Sequence, residues 1–346
     1  MSTAYQAAEL LSSGQLSAIL RPDAGARVVE VRAAPIGAGQ LSRCLRLGLT
    51  WEPAGAGPRT VVVKSAAASP RRRQVARSAR AYELEVGFYR DLATVLSVSV
   101  PRCYHAGYRA DPLEYCLVLA DMPSLTPGDD LAGCSAEEAA RALEQLARLH
   151  AETSSMALPE LTWLVPSMGP EYTGRVRRLV SACGPRFLAR YGPRLDDEAL
   201  ELIRRFLASP PPDVAPGPVS VLHGDFRADN LLFGEEGVTV VDWQTVSIGP
   251  ALSDVSYFLG VSMPVLTRRA AEKDLLEHYR CHLSRHGLPL SWDECWDGYR
   301  HGCQSGLVRA TTAGALVAET EQDRRTFATL ATRCASQIRD LGMEPS

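Results

Sequence analysis

Residues 221–244 read VLHGDFRADNLLFGEEGVTVVDWQ, and this stretch decides the fold. Asp225 follows His-Gly, Asn230 comes five residues later, and Asp242 ends an apolar run. LLF reads as a short strand, GEEG as a turn and VTVVD as a second strand. Folded about Glu236, the hairpin pairs residues at equal offsets and sets Asn230 opposite Asp242. Antiparallel partners lie about 4.5–5.5 Å apart at Cα, so an amide oxygen and a carboxylate should meet at one end of the hairpin. Two hard oxygen ligands suit Mg²⁺, which takes few protein ligands and keeps water and phosphate oxygens. Asp225, in the loop just before, is in reach of whatever that metal presents and can accept a proton from a hydroxyl or orient it. A polar hairpin with a capped loop would account for one such aspartate, but not for the whole spaced set.

The rest of the chain bounds the reading. Its 346 residues suggest one large domain or two lobes, and 46% hydrophobic content supplies a core. A net charge of −3 gives no global attraction to nucleic acid or anionic membrane. No apolar run approaches the ~18 residues of a membrane span. The opening MSTAYQAAEL lacks the basic flank and apolar stretch of a signal peptide. Nine scattered cysteines without a C-x-x-C pair favour reduced thiols, so the expected compartment is the cytoplasm.

The first third reads as strands. In RCLRLGLTW (Arg43–Trp51), Leu45, Leu47, Leu49 and Trp51 fall on one face. TVVVK (Thr60–Lys64) is β-branched and ends in a lysine, and the EPAGAGPR between the two runs is a hairpin loop. Ser69–Arg80 carries five arginines and reads as a solvated loop entering a helix, with a polyanion patch as the alternative. A helix is predicted over Arg80–Leu96, with Ala81, Glu85, Phe88 and Leu92 on its inner stripe and Glu83 on a wet one. An inward carboxylate needs a cation, and Lys64 is the nearest in sequence. YCLVLADMP is a strand stopped by proline, after which helices take over from a Ser135–Glu138 capping box. His150, sharing a helix face with Leu143 and Leu146, reads as a satisfied core histidine. SPPPDVAPGP (Ser209–Pro218) is a rigid connector.

These parts form one ordered set. Gly37-Ala38-Gly39 can bring backbone N–H groups to phosphate, although a plain hairpin turn is an equal reading of G-x-G. Lys64 can hold a nucleotide's phosphates and Glu85 can fix Lys64. H-G-D-x-x-x-x-N with a distal Asp has the mechanics of a kinase catalytic loop. The chain resembles the aminoglycoside-phosphotransferase and ecdysteroid-kinase-like family, the small-molecule branch of the protein-kinase-like fold. IGAGQLSRCLRL, VVVK, ELEVGFY, VPRCYHAGY, LVLADM, LEQLARLHA, VLHGDFRADNLLF and VVDWQTVSIGPALSDVSYFLG carry the likeness, which covers most of the chain.

The resemblance implies an α+β, two-lobed fold. Residues 1–121 would form a nucleotide-binding sheet lobe with one main helix, and residues 122–346 a mainly helical lobe with the catalytic loop, metal site and acceptor pocket. It implies Asp225 as catalytic aspartate, Asn230 and Asp242 as metal ligands, Lys64 as phosphate lysine and Glu85 as its partner. Ala120 to Met122 become the adenine hinge, and His223 and Asp254 supports of the site. The hinge lacks the acidic residue often found where Ala120 stands, leaving ATP and GTP both open. Trp243-Gln244 replaces the Phe-Gly of protein kinases, which points to a constitutively formed site. Arg227 stands where protein kinases carry a lysine and either stabilises the transferring phosphoryl group or is a packed surface arginine.

The expected activity is transfer of the γ-phosphate of ATP or GTP, with Mg²⁺, to a hydroxyl of a small molecule. Apolar, Met-containing segments (WLVPSM, SYFLGVSMPVL) and the scarcity of acidic clusters, with only pairs such as Asp196–Asp197, favour a neutral or partly apolar acceptor: a sterol, hydroxyacyl compound or polyketide. An antibiotic-inactivating enzyme (macrolide, nucleoside or aminoglycoside acceptor) is the runner-up, and a non-catalytic nucleotide-binding regulator a further rival. The lack of an activation segment with an Ala-Pro-Glu element disfavours a protein kinase. His278, His282 and His286 share a helix face, but no nearby carboxylate completes a ligand set, so they read as solvated rather than as a zinc site.

Overall fold

A computed structural model describes residues 11–20, 25–37, 41–209, 215–235, 237–318 and 320–345. The chain divides into two compact units, one of residues 1–94 and 100–124, the other of residues 95–99 and 125–346.

The first unit is built on an antiparallel sheet of order β1-β2-β3-β5-β4: β1 (Arg27–Pro35), β2 (Ser42–Glu52), β3 (Thr60–Ala66), β5 (Glu114–Ala120) and β4 (Cys103–Arg109). Strand alternation sorts the two faces. Leu45, Leu47, Leu49, Trp51, Val61, Val63 and Val118 pack on one face with Leu16 of α1 (Ser13–Leu20). Lys64, paired with Leu117 across β5, points to the other. The arginine-rich segment is itself helical, α2 (Pro70–Ser78), because Ser69 caps it and proline stands at its first turn. The helix predicted over Arg80–Leu96 is shorter: α3 (Ala81–Gly87) runs into a π-helical turn, Phe88–Leu92. Its inner stripe is as expected, with Glu85 fully buried, while Glu83 pairs with Arg80 on the wetter side.

The second unit is mainly helical. Its helices are α4 (Ala136–Ser154), opened by the Ser135/Glu138 capping box, α5 (Pro170–Tyr191), α6 (Asp197–Ala208), α7 (Leu252–Ser262), α8 (Val265–Arg285), α9 (Trp292–Gly302), α10 (Gln304–Leu316) and α11 (Glu321–Asp340). Every residue of α7 except Ser253 is buried, and α4, α8, α9, α10 and α11 pack against it. Short strands carry the loop of interest: β7 (Val219–Leu222) pairs with β10 (Ser247–Pro250), and β8 (Leu231–Phe233) with β9 (Val238–Val240) and β6 (Thr126–Pro127). Among the described residues no helix is long and apolar enough to cross a membrane.

The histidine stripe needs a correction. A carboxylate does face the stripe, but it comes from α4: Glu144 Oε1 lies 3.2 Å from His278 Nε2 and 3.8 Å from His282 Nε2, while the local Glu277 pairs with Arg280. His286, past the end of α8, is exposed.

Candidate active site

β7 delivers the chain to His223, and from there the loop is held almost atom by atom. The buried carboxylate of Asp254, on the first turn of α7, accepts the backbone N–H of His223 at 2.6 Å and of Gly224 at 3.1 Å. Gly224 has φ of +81°, and a Cβ there would collide with the carbonyl oxygen of Thr245. Only glycine fits the turn that aims the next residue. Gly224→Ala is therefore expected to cost about 1–3 kcal/mol, the range for a strained backbone conformation. A denaturant midpoint equal to the wild type's would contradict this.

His223 accepts the Asp225 N–H at Nδ1 (3.2 Å), so its proton sits on Nε2, which donates to the Val241 carbonyl at 3.1 Å. Burial, the largest influence, pushes its pKa down despite the nearby carboxylates, keeping the ring neutral in this tautomer. His150 is satisfied on one nitrogen only: Nδ1 meets the Tyr279 hydroxyl at 2.9 Å, while Nε2 lies 3.8 Å from Asp254, beyond hydrogen-bond length.

Asp225 is held on both oxygens. Oδ1 accepts the Tyr257 hydroxyl at 2.7 Å, and Oδ2 accepts Asn230 Nδ2 at 3.1 Å and Arg227 Nε at 3.2 Å. Burial alone would raise its pKa, but Arg227, then the Tyr257 hydroxyl, then Arg309 outweigh it and hold the carboxyl below its ordinary value. Arg227 is not a surface arginine. It is buried, pairs with Asp130 and lies 3.3 Å from Asp229, and these carboxylates with Asp225 lift its pKa despite its desolvation.

Asn230 also donates to the Asp225 carbonyl at 2.7 Å, so its NH₂ is committed and its amide oxygen is the atom left to meet a cation. The hairpin register differs from the expectation. Leu231 pairs with Val240, and the Val241 N–H donates to the Asn230 carbonyl at 3.0 Å, so Asn230 faces Val241 and Asp242 lies one residue further. The reason is the turn. A hydrogen bond from Gly234 N–H to Gly237 C=O (2.9 Å) closes it symmetrically about a point half a residue before 236. β9 ends at Val240, and Asp242 adopts φ of +70°, a left-handed conformation that redirects its carboxylate off the strand. Gln244 Nε2 donates to Asp242 Oδ2 at 2.9 Å, and the buried Trp243 ring lies 4.6 Å from that of His223. The oxygen-rich pair, Asn230 and Asp242, has the donor chemistry of a Mg²⁺ site.

In the first unit Lys64 Nζ meets Glu85 Oε1 at 2.6 Å, both side chains being almost inaccessible, and Tyr115 donates to the other Glu85 oxygen. Tyr82 stacks on Tyr115 at 4.3 Å and ties the helix to the Leu41 carbonyl. Gly37 has φ of +63°, as a turn glycine, whereas Gly39 lies outside the described residues. At the expected hinge the Ala120 N–H is already given to the Arg102 carbonyl (2.8 Å), and Asp121 is held by Arg46 at 2.7 Å and 2.9 Å. The Met122 backbone also hydrogen-bonds Asp121.

Three site residues went unread in the sequence: Tyr257, Asp130 and Arg309, whose guanidinium lies 5.1 Å from the Tyr257 ring centroid. Tyr257 was within reach, because it stands three residues after Asp254 on α7 and so shares its face. Asp130 and Arg309 come from distant segments with no local signal.

Comparison with known proteins fits this geometry. The model of the phosphotransferase enzyme family (APH) matches residues 48–290. Choline kinase from Cryptosporidium parvum superposes with a TM-score of 0.59 at 11% identity, covering 91% of this chain and 92% of that one. The GDP complex of an aminoglycoside 2'-phosphotransferase-IIIa gives 0.55 at 14% identity, covering 96% and 99%. A macrolide 2'-phosphotransferase from Brachybacterium faecium gives 0.50 at 19%, covering 95% and 98%. No curated protein matches the chain at a significant level. With a family match spanning most of its length, the chain belongs to the phosphotransferase enzyme family and is a small-molecule kinase with a hydroxyl as acceptor group.

Proposed function

We propose that this kinase transfers the γ-phosphate of ATP or GTP to a hydroxyl of a neutral or partly apolar molecule of sterol, hydroxyacyl or polyketide type, with Asp225 as the residue that receives the hydroxyl proton. The observation that carries this reading is the clamp on Asp225: Tyr257, Asn230 and Arg227 fix both of its oxygens and keep it ionised. In the reaction the acceptor oxygen bonds to the γ-phosphorus, the bond to the β,γ-bridging oxygen breaks, the nucleoside diphosphate leaves and Asp225 takes the proton. Asn230 and Asp242 would hold Mg²⁺, which when bound supplies charge neutralisation for the phosphates. Lys64, fixed by Glu85, would hold the nucleotide phosphates, with backbone N–H groups of the Gly37–Gly39 turn beside them. Backbone groups of Ala120–Met122 would take the base. Residues 1–121 thus act as the nucleotide-binding lobe and residues 122–346 as the catalytic and acceptor lobe. Arg227 would orient Asp225 and add positive charge at the site.

The acceptor class rests on the apolar, Met-containing segments WLVPSM and SYFLGVSMPVL, which favour a neutral or partly apolar molecule. Arg227 and Arg309 lower the Asp225 pKa, and the carboxylates of Asp130, Asp229 and Asp254 offset these two cations, so local charge alone does not choose the acceptor. The runner-up remains an antibiotic acceptor: a macrolide, a nucleoside or an aminoglycoside. Competing acceptors separate the two. Neutral hydroxylated compounds are expected to be phosphorylated with kcat/KM well above that of aminoglycosides. Because Arg309 depresses the Asp225 pKa, its removal raises that pKa, and the acid limb of the pH profile of kcat/KM should move upward. Aminoglycoside turnover matching or exceeding that of every neutral alcohol would overturn the acceptor reading.

A further inference from the structure

Glu144, His278 and His282 form a cluster that phosphoryl transfer does not use. The two histidines stand one helical turn apart on α8 with ring centroids 4.4 Å apart, and Glu144 reaches them from α4. Both Nε2 atoms aim at the same carboxylate oxygen, at 3.2 and 3.8 Å, and the three ligand atoms all lie within 4.8 Å of one another. In a tetrahedral zinc site with metal–ligand bonds of about 2.0–2.1 Å, ligand atoms are roughly 3.3 Å apart. The two edges that meet at Glu144, 3.2 and 3.8 Å, are close to that length. We propose that Glu144, His278 and His282 bind a divalent transition-metal ion of the zinc type, with water completing the coordination, and that this ion cross-braces α4 to α8.

The backbones presenting the three side chains are fixed by packing. Leu143 and Leu146 on α4, and Leu275, Leu276, Tyr279 and Leu283 on α8, are buried, and the His150–Tyr279 hydrogen bond joins the same two helices. The ligands are partly exposed, with side-chain accessibilities of 28% for Glu144, 34% for His278 and 17% for His282, so water and ion both have access. The exposed Arg285, whose guanidinium lies 3.2 Å from His282 Nε2, is the group an incoming ion would displace. Two imidazoles and one carboxylate select zinc-like ions over Mg²⁺, which prefers oxygen alone. The site is therefore chemically distinct from one made by Asn230 and Asp242.

The test is calorimetric titration of the full chain with Zn²⁺ in saturating Mg²⁺ and nucleotide, repeated on His278→Ala, Glu144→Gln and the control Cys281→Ser. Cys281 Sγ contacts Glu277 and takes no part in the triangle. The expected result is one strong equivalent that Cys281→Ser keeps. His278→Ala and Glu144→Gln should each weaken it by more than the 10–100-fold that loss of an outer-sphere partner costs. Zn²⁺ should also raise the melting temperature of the wild type and not of His278→Ala. Absence of a strong equivalent, or one that survives both ligand substitutions, overturns the proposal. Far-ultraviolet circular dichroism of each variant establishes that it is folded before titration.

Discussion

Asp225→Asn is expected to lower kcat by about 10²–10⁴-fold, the usual contribution of a positioned proton acceptor, while leaving nucleotide-dependent thermal stabilisation in place. The substitution keeps the shape of the side chain, and its amide oxygen can still accept the Tyr257 hydroxyl. Its new NH₂, however, replaces the oxygen that now accepts from Asn230 and Arg227. Two donors then face a third, and the buried Arg227 loses one of its carboxylates. Some of the loss could therefore come from a displaced loop rather than from a missing base. Tyr257→Phe separates these effects. It removes one hydrogen bond to Asp225 without changing the charge at position 225, so it should raise the pKa read from the acid limb of kcat/KM and leave substantial turnover. A Asp225→Asn enzyme retaining more than a tenth of wild-type kcat would mean that another group accepts the proton.

The second large effect belongs to Lys64 and Glu85. Both side chains are almost wholly out of water, at 7% and 0% accessibility, and their charges meet at 2.6 Å. Removing one partner leaves an uncompensated buried charge, which costs about 3–5 kcal/mol. Lys64→Met is accordingly expected to destabilise the protein by that amount and to abolish turnover. Tyr115, which donates to the other oxygen of Glu85, limits the damage on the carboxylate side. The double variant Lys64→Met/Glu85→Leu removes both charges and should recover much of the stability, because apolar replacement of a buried ion pair is often close to neutral. It should recover none of the activity if Lys64 holds nucleotide phosphates. Chemical denaturation and steady-state kinetics on the wild type and these two variants give the two readouts. Activity returning with stability would assign the pair a purely structural role.

How much of this was legible in the sequence depended on how local the cause was. The sheet strands followed from alternation: Leu45, Leu47, Leu49 and Trp51 are all buried on one face. The stripe containing Glu85 was readable for the same reason, since helical periodicity alone separates it from Glu83. The loop of Asp225 was visible as a pattern, but not its support. Gly224 has to be glycine because of a carbonyl contributed by Thr245, and Asp225 owes its low pKa to Arg227, Tyr257 and Arg309 from three different segments. The one-residue error in the hairpin shows how register reading fails. Equal-offset pairing requires the turn midpoint, and Gly-Glu-Glu-Gly offers two centres half a residue apart, between which only the closing hydrogen bond chooses. Glu144 was invisible for a related reason: it comes to His278 from 134 residues away.

The central claim is phosphoryl transfer to a hydroxyl through Asp225. The most direct measurement is mass spectrometry of reactions containing purified protein, Mg²⁺, ATP or GTP and a panel of sterols, hydroxyacyl compounds, polyketides, macrolides, nucleosides and aminoglycosides, with Asp225→Asn run alongside. The account predicts a product one phosphate heavier than its acceptor, formed with equimolar nucleoside diphosphate by the wild type and almost none by the variant. A phosphorylated product formed equally by both proteins, or a wild type that neither forms product nor gains stability from either nucleotide, would contradict it.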